Sequence, residues 1–150
     1  MRGAIEIDGL SDALAAGPRS VISLVGGGGK TTALFALGDQ LEGRVVLTTT
    51  TKMGSDRHDG HTPLLDPSDD DLEAVLDRDG VALVWAGIDG HRAVGIDPET
   101  VGRWWGLADH IVIEADGSRR RPFKAPADHE PVVPAATTML IGCVGAAAFD

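Results

Sequence analysis

A chain of 150 residues, 43% of them hydrophobic, has the size of one domain with its own core, so we predict a single domain over residues 1–150. Its net charge of −10, with acids that are mostly Asp and only three lysines, excludes nucleic acid as a general partner and is typical of proteins adapted to high intracellular salt. No basic segment followed by an apolar run opens the chain and no stretch is apolar enough to span a bilayer, so we predict a cytoplasmic protein with no membrane contact.

Strand and helix patterns alternate along the sequence. Short β-branched or apolar runs predict strands over residues 20–25, 44–47, 110–115 and 139–144. Apolar spacing and capping residues predict helices over residues 11–16 with Ser11 as N-cap, 30–41, 68–78, and from Asp97-Pro98 onward. Residues 81–86 and 91–96 flank Asp89-Gly90 and predict a β-hairpin, and residues 56–67 predict a mobile loop. The alternation indicates an α/β fold with a mainly parallel sheet and helices on both faces.

The segment VISLVGGGGKTT, residues 21–32, places four glycines between a predicted strand and a predicted helix. Phosphate binding needs converging backbone N–H groups in conformations that side chains obstruct, and the start of a helix adds unpaired N–H groups. Lys30 can reach the outer phosphates, and the Thr31 hydroxyl can hold Mg²⁺. Leu24 stands where the pattern G-x-x-x-x-G-K-[ST] has its first glycine, and a purely structural turn is the alternative. The predicted nucleotide-binding residues are Gly26, Gly27, Gly28, Gly29, Lys30, Thr31 and Thr32.

Four threonines and a lysine follow the second strand, in VVLTTTTK at residues 45–52. The carboxyl ends of parallel strands line the ligand crevice of such a sheet. We therefore predict that Thr50, Thr51 and Lys52 contact the nucleotide, although threonine also favours strands for structural reasons.

Two carboxylates end the strand IVIEADGS, residues 111–118. Buried carboxylates need a metal or a hydrogen-bond partner, and an apolar strand that ends in an acid is the second part of a P-loop magnesium site. We predict Thr31 and Asp116 as metal ligands and Glu114 as the group that orients the attacking water, with the two acids able to exchange roles. An acid that caps the following turn is the structural alternative.

A basic segment follows directly, in RRRPFKAPADHEP at residues 119–131. On a chain of this net charge, clustered cations predict a local anion site. Lys30, Glu114, Asp116, Arg119 and Arg120 are the predicted catalytic residues, and a solvated basic loop is the alternative for the last two.

With these segments, the chain resembles the YqeC-type family of selenium-dependent hydroxylase accessory proteins. The strings that carry the resemblance are SLVGGGGKTT (23–32), VLTTTTK (46–52) and IEADGSRRRPFKAPADHEPVVP (113–134), within an overall likeness over residues 10–146. The resemblance implies a P-loop NTPase-like fold that binds Mg²⁺ with ATP or GTP. It also implies a role in the maturation of a selenium-dependent molybdenum hydroxylase, with that enzyme or its cofactor-handling proteins as partners.

Members of this family usually continue with further strands and a base-recognition segment, so we expect a chain that stops at Asp150 to lack that C-terminal part. The chain also looks like the P-loop class of metallocentre-maturation ATPases, in which an extra lysine is typical where Val25 stands here. A mechanism that depends on that lysine is therefore not expected.

The favoured function is a Mg-dependent NTP-hydrolysing accessory protein. Two alternatives stay open at the level of sequence. A small-molecule phosphotransferase would use the basic segment to hold an acceptor, and a non-catalytic module would use its nucleotide state to gate the binding of a partner.

Overall fold

The computed structural model describes residues 9–117 and 129–149. Its helices are α1 (Leu10–Ala13), α2 (Lys30–Gln40), α3 (Asp69–Asp79) and α4 (Thr100–Trp104), and a 3-10 helix covers Ala146–Phe149. Its strands are β1 (Ser20–Gly26), β2 (Val45–Thr49), β3 (Lys52–Gly54), β4 (Leu64–Leu65), β5 (Val81–Trp85), β6 (Gly87–Asp89), β7 (Arg92–Val94), β8 (His110–Glu114) and β9 (Met139–Cys143).

Six strands form one parallel sheet in the order β4-β5-β2-β8-β1-β9. The central strands β2 and β8 are buried along their whole length, which is why they consist of almost continuous apolar runs. This arrangement confirms the predicted α/β fold with a mainly parallel sheet. It also places the carboxyl ends of β1, β2 and β8 side by side.

Helices cover both faces of the sheet, as predicted. On one face, Leu34 and Leu37 of α2 pack into a core with residues of β1 and β2. On the other face, α3 and α4 contribute Leu72, Leu76 and Trp104 to a second core. In the described ranges, no helix has both the length and the apolar character that crossing a lipid bilayer would require.

The predicted hairpin has the wrong strands. Residues 81–85 form β5, which lies in the main sheet between β2 and β4. The hairpin consists of β6 and β7, which pair Asp89 with Arg92 around Gly90, whose φ is +59°. Strand β7 also pairs with β3, so the hairpin belongs to a separate three-stranded antiparallel sheet.

Three local predictions also differ from the structure. Ser11 is not the N-cap of α1, because it lies inside the helix, whose N-cap is Gly9. The Ser11 amide donates to the side chain of Gln40 in α2 at 3.0 Å. The Asp97 side chain accepts a hydrogen bond from the Glu99 amide at 2.9 Å and so closes a turn, and α4 begins only after it. The predicted loop over residues 56–67 contains β4.

Candidate functional site

The glycine segment forms the turn between β1 and α2. Gly26, the last residue of β1, has a φ of +106°, and a Cβ atom there would lie 2.3 Å from the carbonyl oxygen of Cys143 in β9. Gly29 is the N-cap of α2 with a φ of +93° and open space around it. The Gly27 amide donates to the Cys143 carbonyl at 2.8 Å. Strand β9 therefore braces this turn from the side, and the backbone requires glycine at two of its positions.

The backbone amides at the start of α2 have no acceptor among the residues that the structure describes. The Gly26 amide donates to Asp116 Oδ2 at 2.9 Å, and the Gly27 amide is used by Cys143. In residues 9–117 and 129–149, the next five amides, those of residues 28–32, donate to no protein atom. They combine the free end of a helix with the turn before it, which is the arrangement that binds anions.

Lys30 lies in the first turn of α2 and is only 2% exposed. Its ammonium group donates to the carbonyl oxygen of Gly26 at 2.7 Å and forms an ion pair with Asp116 Oδ1. Asp116 follows the end of β8 and is 4% exposed. The structure thus brings Lys30, Gly26 and Asp116 together, although residues 30 and 116 are far apart in the sequence.

Glu114, the last residue of β8, contacts Thr31, which follows Lys30 in α2. The Thr31 hydroxyl donates to Glu114 Oε2 at 3.0 Å. Burial raises the pKa of Glu114 above its ordinary value of 4.5, while the Thr31 hydrogen bond and the positive charges of Lys30 and Arg57 oppose that rise. The predicted metal ligand Thr31 therefore lies against Glu114, and Asp116 lies against Lys30.

We expect Glu114→Gln to remove a pH dependence from the stability of the protein. The folded protein binds the Glu114 proton more tightly than the unfolded chain, where the pKa is near 4.5. The stabilising contribution is complete below that pH and is lost as the pH rises through the raised folded pKa. In urea titrations from about pH 4 to pH 8, the free energy of unfolding should therefore fall more steeply with pH in the wild type than in the variant. Parallel pH profiles would contradict the assignment.

Hydroxyl groups of the threonine segment hold the ends of neighbouring strands. Thr49 Oγ1 donates to the carbonyl of Glu114 at 2.9 Å, and Thr50 Oγ1 donates to the carbonyl of Val132 at 2.6 Å. Thr51 is half-buried, with its hydroxyl 3.4 Å from that of Thr49. These hydroxyls lie beside Glu114, at the edge of the sheet where the sequence predicts the ligand. In the structure as described, the bonds of Thr49 and Thr50 are structural.

The remaining predicted site residues are Lys52, Thr32, Arg119 and Arg120. Lys52 begins β3 in the smaller sheet, its side chain is 55% exposed, and its amine lies 3.4 Å from Asp89 Oδ2 on the hairpin. Its amine is thus directed to the hairpin instead of to the glycine turn. Thr32 is exposed on the first turn of α2. Arg119 and Arg120 lie outside the described residues.

Arg57 is a cation near the site that the sequence analysis missed. It follows β3 in a turn in which the Arg57 amide donates to the carbonyl of Gly54 at 3.0 Å. Its positive charge partly offsets the rise that burial causes in the pKa of Glu114. Among the described residues, its guanidinium group has no ion-pair partner. Its position a few residues after β2, which ends at the predicted ligand edge, was the available signal. Arg57 was overlooked because residues 56–67 have the composition of a loop.

Cys143, predicted to be a buried structural thiol, is half-buried in β9. Burial raises the pKa of its thiol. Its backbone has the more direct connection to the site, because the Cys143 carbonyl accepts the Gly27 amide. Neither composition nor periodicity points to such a contact.

Comparison with known proteins agrees with these motifs. The model of the YqeC protein family matches residues 22–150. The uncharacterized protein YqeC of Escherichia coli (strain K12) is 36% identical over 138 residues, a match that covers 84% of this chain and 52% of that protein. The chain therefore spans about half the length of this curated relative. No solved structure matches the chain. Because the family model matches most of its residues, the chain belongs to the YqeC protein family.

Proposed function

We propose that the protein binds a nucleoside triphosphate with Mg²⁺ through residues 26–32 and hydrolyses it. The observation that carries the proposal is the run of five backbone amides, residues 28–32, that have no acceptor in the described part of the chain, together with the nearly buried side chain of Lys30. Five free donors in and before the first turn of a helix, with a buried cation on a chain of net charge −10, suit a multiply charged anion. A triphosphate supplies enough oxygens to use them, and membership of the P-loop NTPases is part of this proposal.

The contacts of Lys30 support phosphate binding because they are exchangeable. Its ammonium group is held by the Gly26 carbonyl and by Asp116. Phosphate oxygens at the free amides would lie next to this group and could replace one of these acceptors without moving the helix. Asp116 thereby keeps the ammonium group paired and in place while no anion is bound.

The residues beside Lys30 also fit Mg²⁺. Within residues 9–117 and 129–149 no cluster of three or more His, Cys, Asp or Glu is arranged to hold a metal. Magnesium at a nucleotide site needs no such cluster, because it is held by one or two carboxylates, a hydroxyl, water and phosphate oxygens. Thr31, Glu114 and Asp116 provide hard oxygen atoms of this kind. When bound, the ion would neutralise charge on the phosphates.

Of the two role assignments that the sequence leaves open, the contacts favour Glu114 on the metal side. Glu114 Oε2 lies 3.0 Å from the hydroxyl of Thr31, the predicted metal ligand, whereas both oxygens of Asp116 are used by Lys30 and the Gly26 amide. Glu114→Gln should then weaken Mg²⁺ dependence most, and Asp116→Asn should act mainly through Lys30. Arg57, which is near Glu114, adds a cation on the open side.

The physiological part of the proposal rests on family membership. We propose that nucleotide hydrolysis serves the maturation of a selenium-dependent molybdenum hydroxylase, through contact with that enzyme or with proteins that handle its cofactor. The acidic surface and the nucleotide site carry no feature that names this partner, so its identification depends on binding experiments with the hydroxylase itself.

Calorimetric titration of the folded protein tests the nucleotide site. We expect binding of ATP or GTP with Mg²⁺, weaker binding without the metal, and slow release of inorganic phosphate in a coupled assay. Titrations at low and high salt, with CTP as a third base, separate base preference from charge screening. Absence of binding heat for every Mg-nucleotide at about 1 mM, the upper end of useful affinities, would contradict the proposal.

The same experiment separates the alternatives. Phosphate release without any acceptor supports hydrolysis. Release that requires one added metabolite indicates a phosphotransferase. Binding with no turnover in the wild type indicates a nucleotide-gated binding module.

A further inference from the structure

One part of the chain carries no charge. Residues 131–149, which we name the uncharged strip, contain no Asp, Glu, Lys, Arg or His, although charged residues make up 24% of the chain. The strip includes β9 and the 3-10 helix after it. Four of the six exposed large hydrophobic residues among those described belong to it: Val133, Leu140, Val144 and Phe149.

Strand β9 is an outer strand of the main sheet. It pairs with β1 on one side, and no other described strand pairs with it. The carbonyl of Cys143 points toward β1, since it accepts the amide of Gly27. Because backbone groups of a strand alternate in direction, those of Met139 and Ile141 also face β1, and the N–H and C=O groups of Leu140 and Gly142 point to the open side. The edge therefore offers backbone donors and acceptors beside Leu140, which is 59% exposed.

The opposite edge of the same sheet is built differently. Strand β4 has only two residues, Leu64–Leu65, and Asp66 follows it directly. Short edge strands and adjacent charges are the usual protection against pairing with another chain. Strand β9 has five residues without charge or proline, so it lacks both kinds of protection.

We propose that the β9 edge pairs with the β9 edge of a second copy of this chain, antiparallel about a two-fold axis. Two copies that each carry a net charge of −10 repel each other over most of their surfaces, and the uncharged strip is where they can meet without opposing like charges. A two-fold axis brings the same strip to itself and matches the open backbone groups of one β9 with those of the other. The exposed side chains of Leu140, Val144 and Phe149 are then shielded from water. The proposal does not depend on nucleotide binding.

Sedimentation velocity over a range of protein concentrations tests this pairing. We expect a species of twice the 15.6 kDa chain mass in the wild type. Leu140→Lys should raise the dimer dissociation constant about tenfold or more, because it places a lysine on each facing edge. Leu65→Lys is the matched control, since Leu65 is 49% exposed on the other edge of the same sheet. It should leave the dissociation constant unchanged.

Hydrogen exchange separates edge pairing from any other dimer. The amide of Gly142 should exchange more slowly as protein concentration rises, as should that of Leu140, and the concentration dependence at Gly142 should vanish in Leu140→Lys. Phe149→Lys provides a second disruptive variant, because Phe149 is 82% exposed and its replacement leaves the core intact. A wild type that is monomeric at all concentrations would overturn the proposal. So would a dimer that is weakened by Leu65→Lys but not by the two variants in the strip.

Discussion

Lys30→Ala is expected to remove nucleotide binding and to destabilise the fold at the same time. Each charge-assisted hydrogen bond to a phosphate contributes about 1.5–3 kcal/mol, so loss of two should lower affinity about 100-fold or more. The same change leaves Asp116, which is 4% exposed, as a buried carboxylate without its cation. Breaking a buried ion pair from one side costs about 3–5 kcal/mol. Calorimetry and urea denaturation measure the two effects.

A double variant separates these effects. Lys30→Ala combined with Asp116→Asn removes the lone charge, so it should be more stable than Lys30→Ala alone while still failing to bind nucleotide. Arg78→Ala, at an exposed position on α3, is a control for loss of a positive charge and should bind like the wild type. If a folded Lys30→Ala protein bound nucleotide with wild-type affinity, Lys30 would have no role in phosphate binding, and the prediction would be wrong.

Gly26→Ala is expected to cost about 3 kcal/mol of stability, from about 1–3 kcal/mol for backbone strain and a similar amount for steric overlap. The φ of +106° disfavours any side chain, and the added Cβ would lie 2.3 Å from the Cys143 carbonyl. That carbonyl also accepts the Gly27 amide. If Cys143 moves away to make room for the new Cβ atom, the hydrogen bond between β9 and the glycine turn is lost. Urea denaturation measures the loss, and nucleotide affinity should fall with it.

Two other glycines provide graded controls. Gly29→Ala meets open space at a φ of +93°, so only backbone strain of about 1–2 kcal/mol applies. Gly102→Ala lies in α4 with open space and no positive φ, and should stabilise the protein by up to about 1 kcal/mol. Equal stability of the Gly26 and Gly102 variants would refute the requirement for glycine at the end of β1.

The sequence predicts four of the six strands of the main sheet, β1, β2, β8 and β9, because they are largely apolar runs bounded by turn residues. The hairpin error arises from strand pairing, which depends on tertiary contacts that local patterns do not contain. A turn at Asp89-Gly90 predicts a hairpin, but not which residues enter it. The continuous apolar run of β5 contrasts with β7, which begins with the charged and exposed Arg92, and this difference in sequence could have separated them.

At the site, the neighbouring strands β1 and β8 bring Lys30, Glu114 and Asp116 together. The sequence predicts this proximity from the glycine segment before α2 and from the acids that end an apolar strand. The specific pairs are not, because the choice between Lys30–Asp116 and Lys30–Glu114 depends on side-chain rotamers and burial. The amine of Lys52 lies at the hairpin, and not at the glycine turn, for a topological reason. The chain leaves the main sheet after β2 and enters the smaller sheet, which carries this lysine to Asp89.

The hydrogen bond between Gly27 and Cys143 has a consequence for the order of folding. The residues that shape the glycine turn are synthesised early, while the strand that supports them leaves the ribosome only after Cys143 has been added. Pairing between such distant segments forms late and slowly. A nascent chain therefore lacks a finished glycine turn until this strand docks, and on the proposed function nucleotide would not assist the earlier steps of its folding.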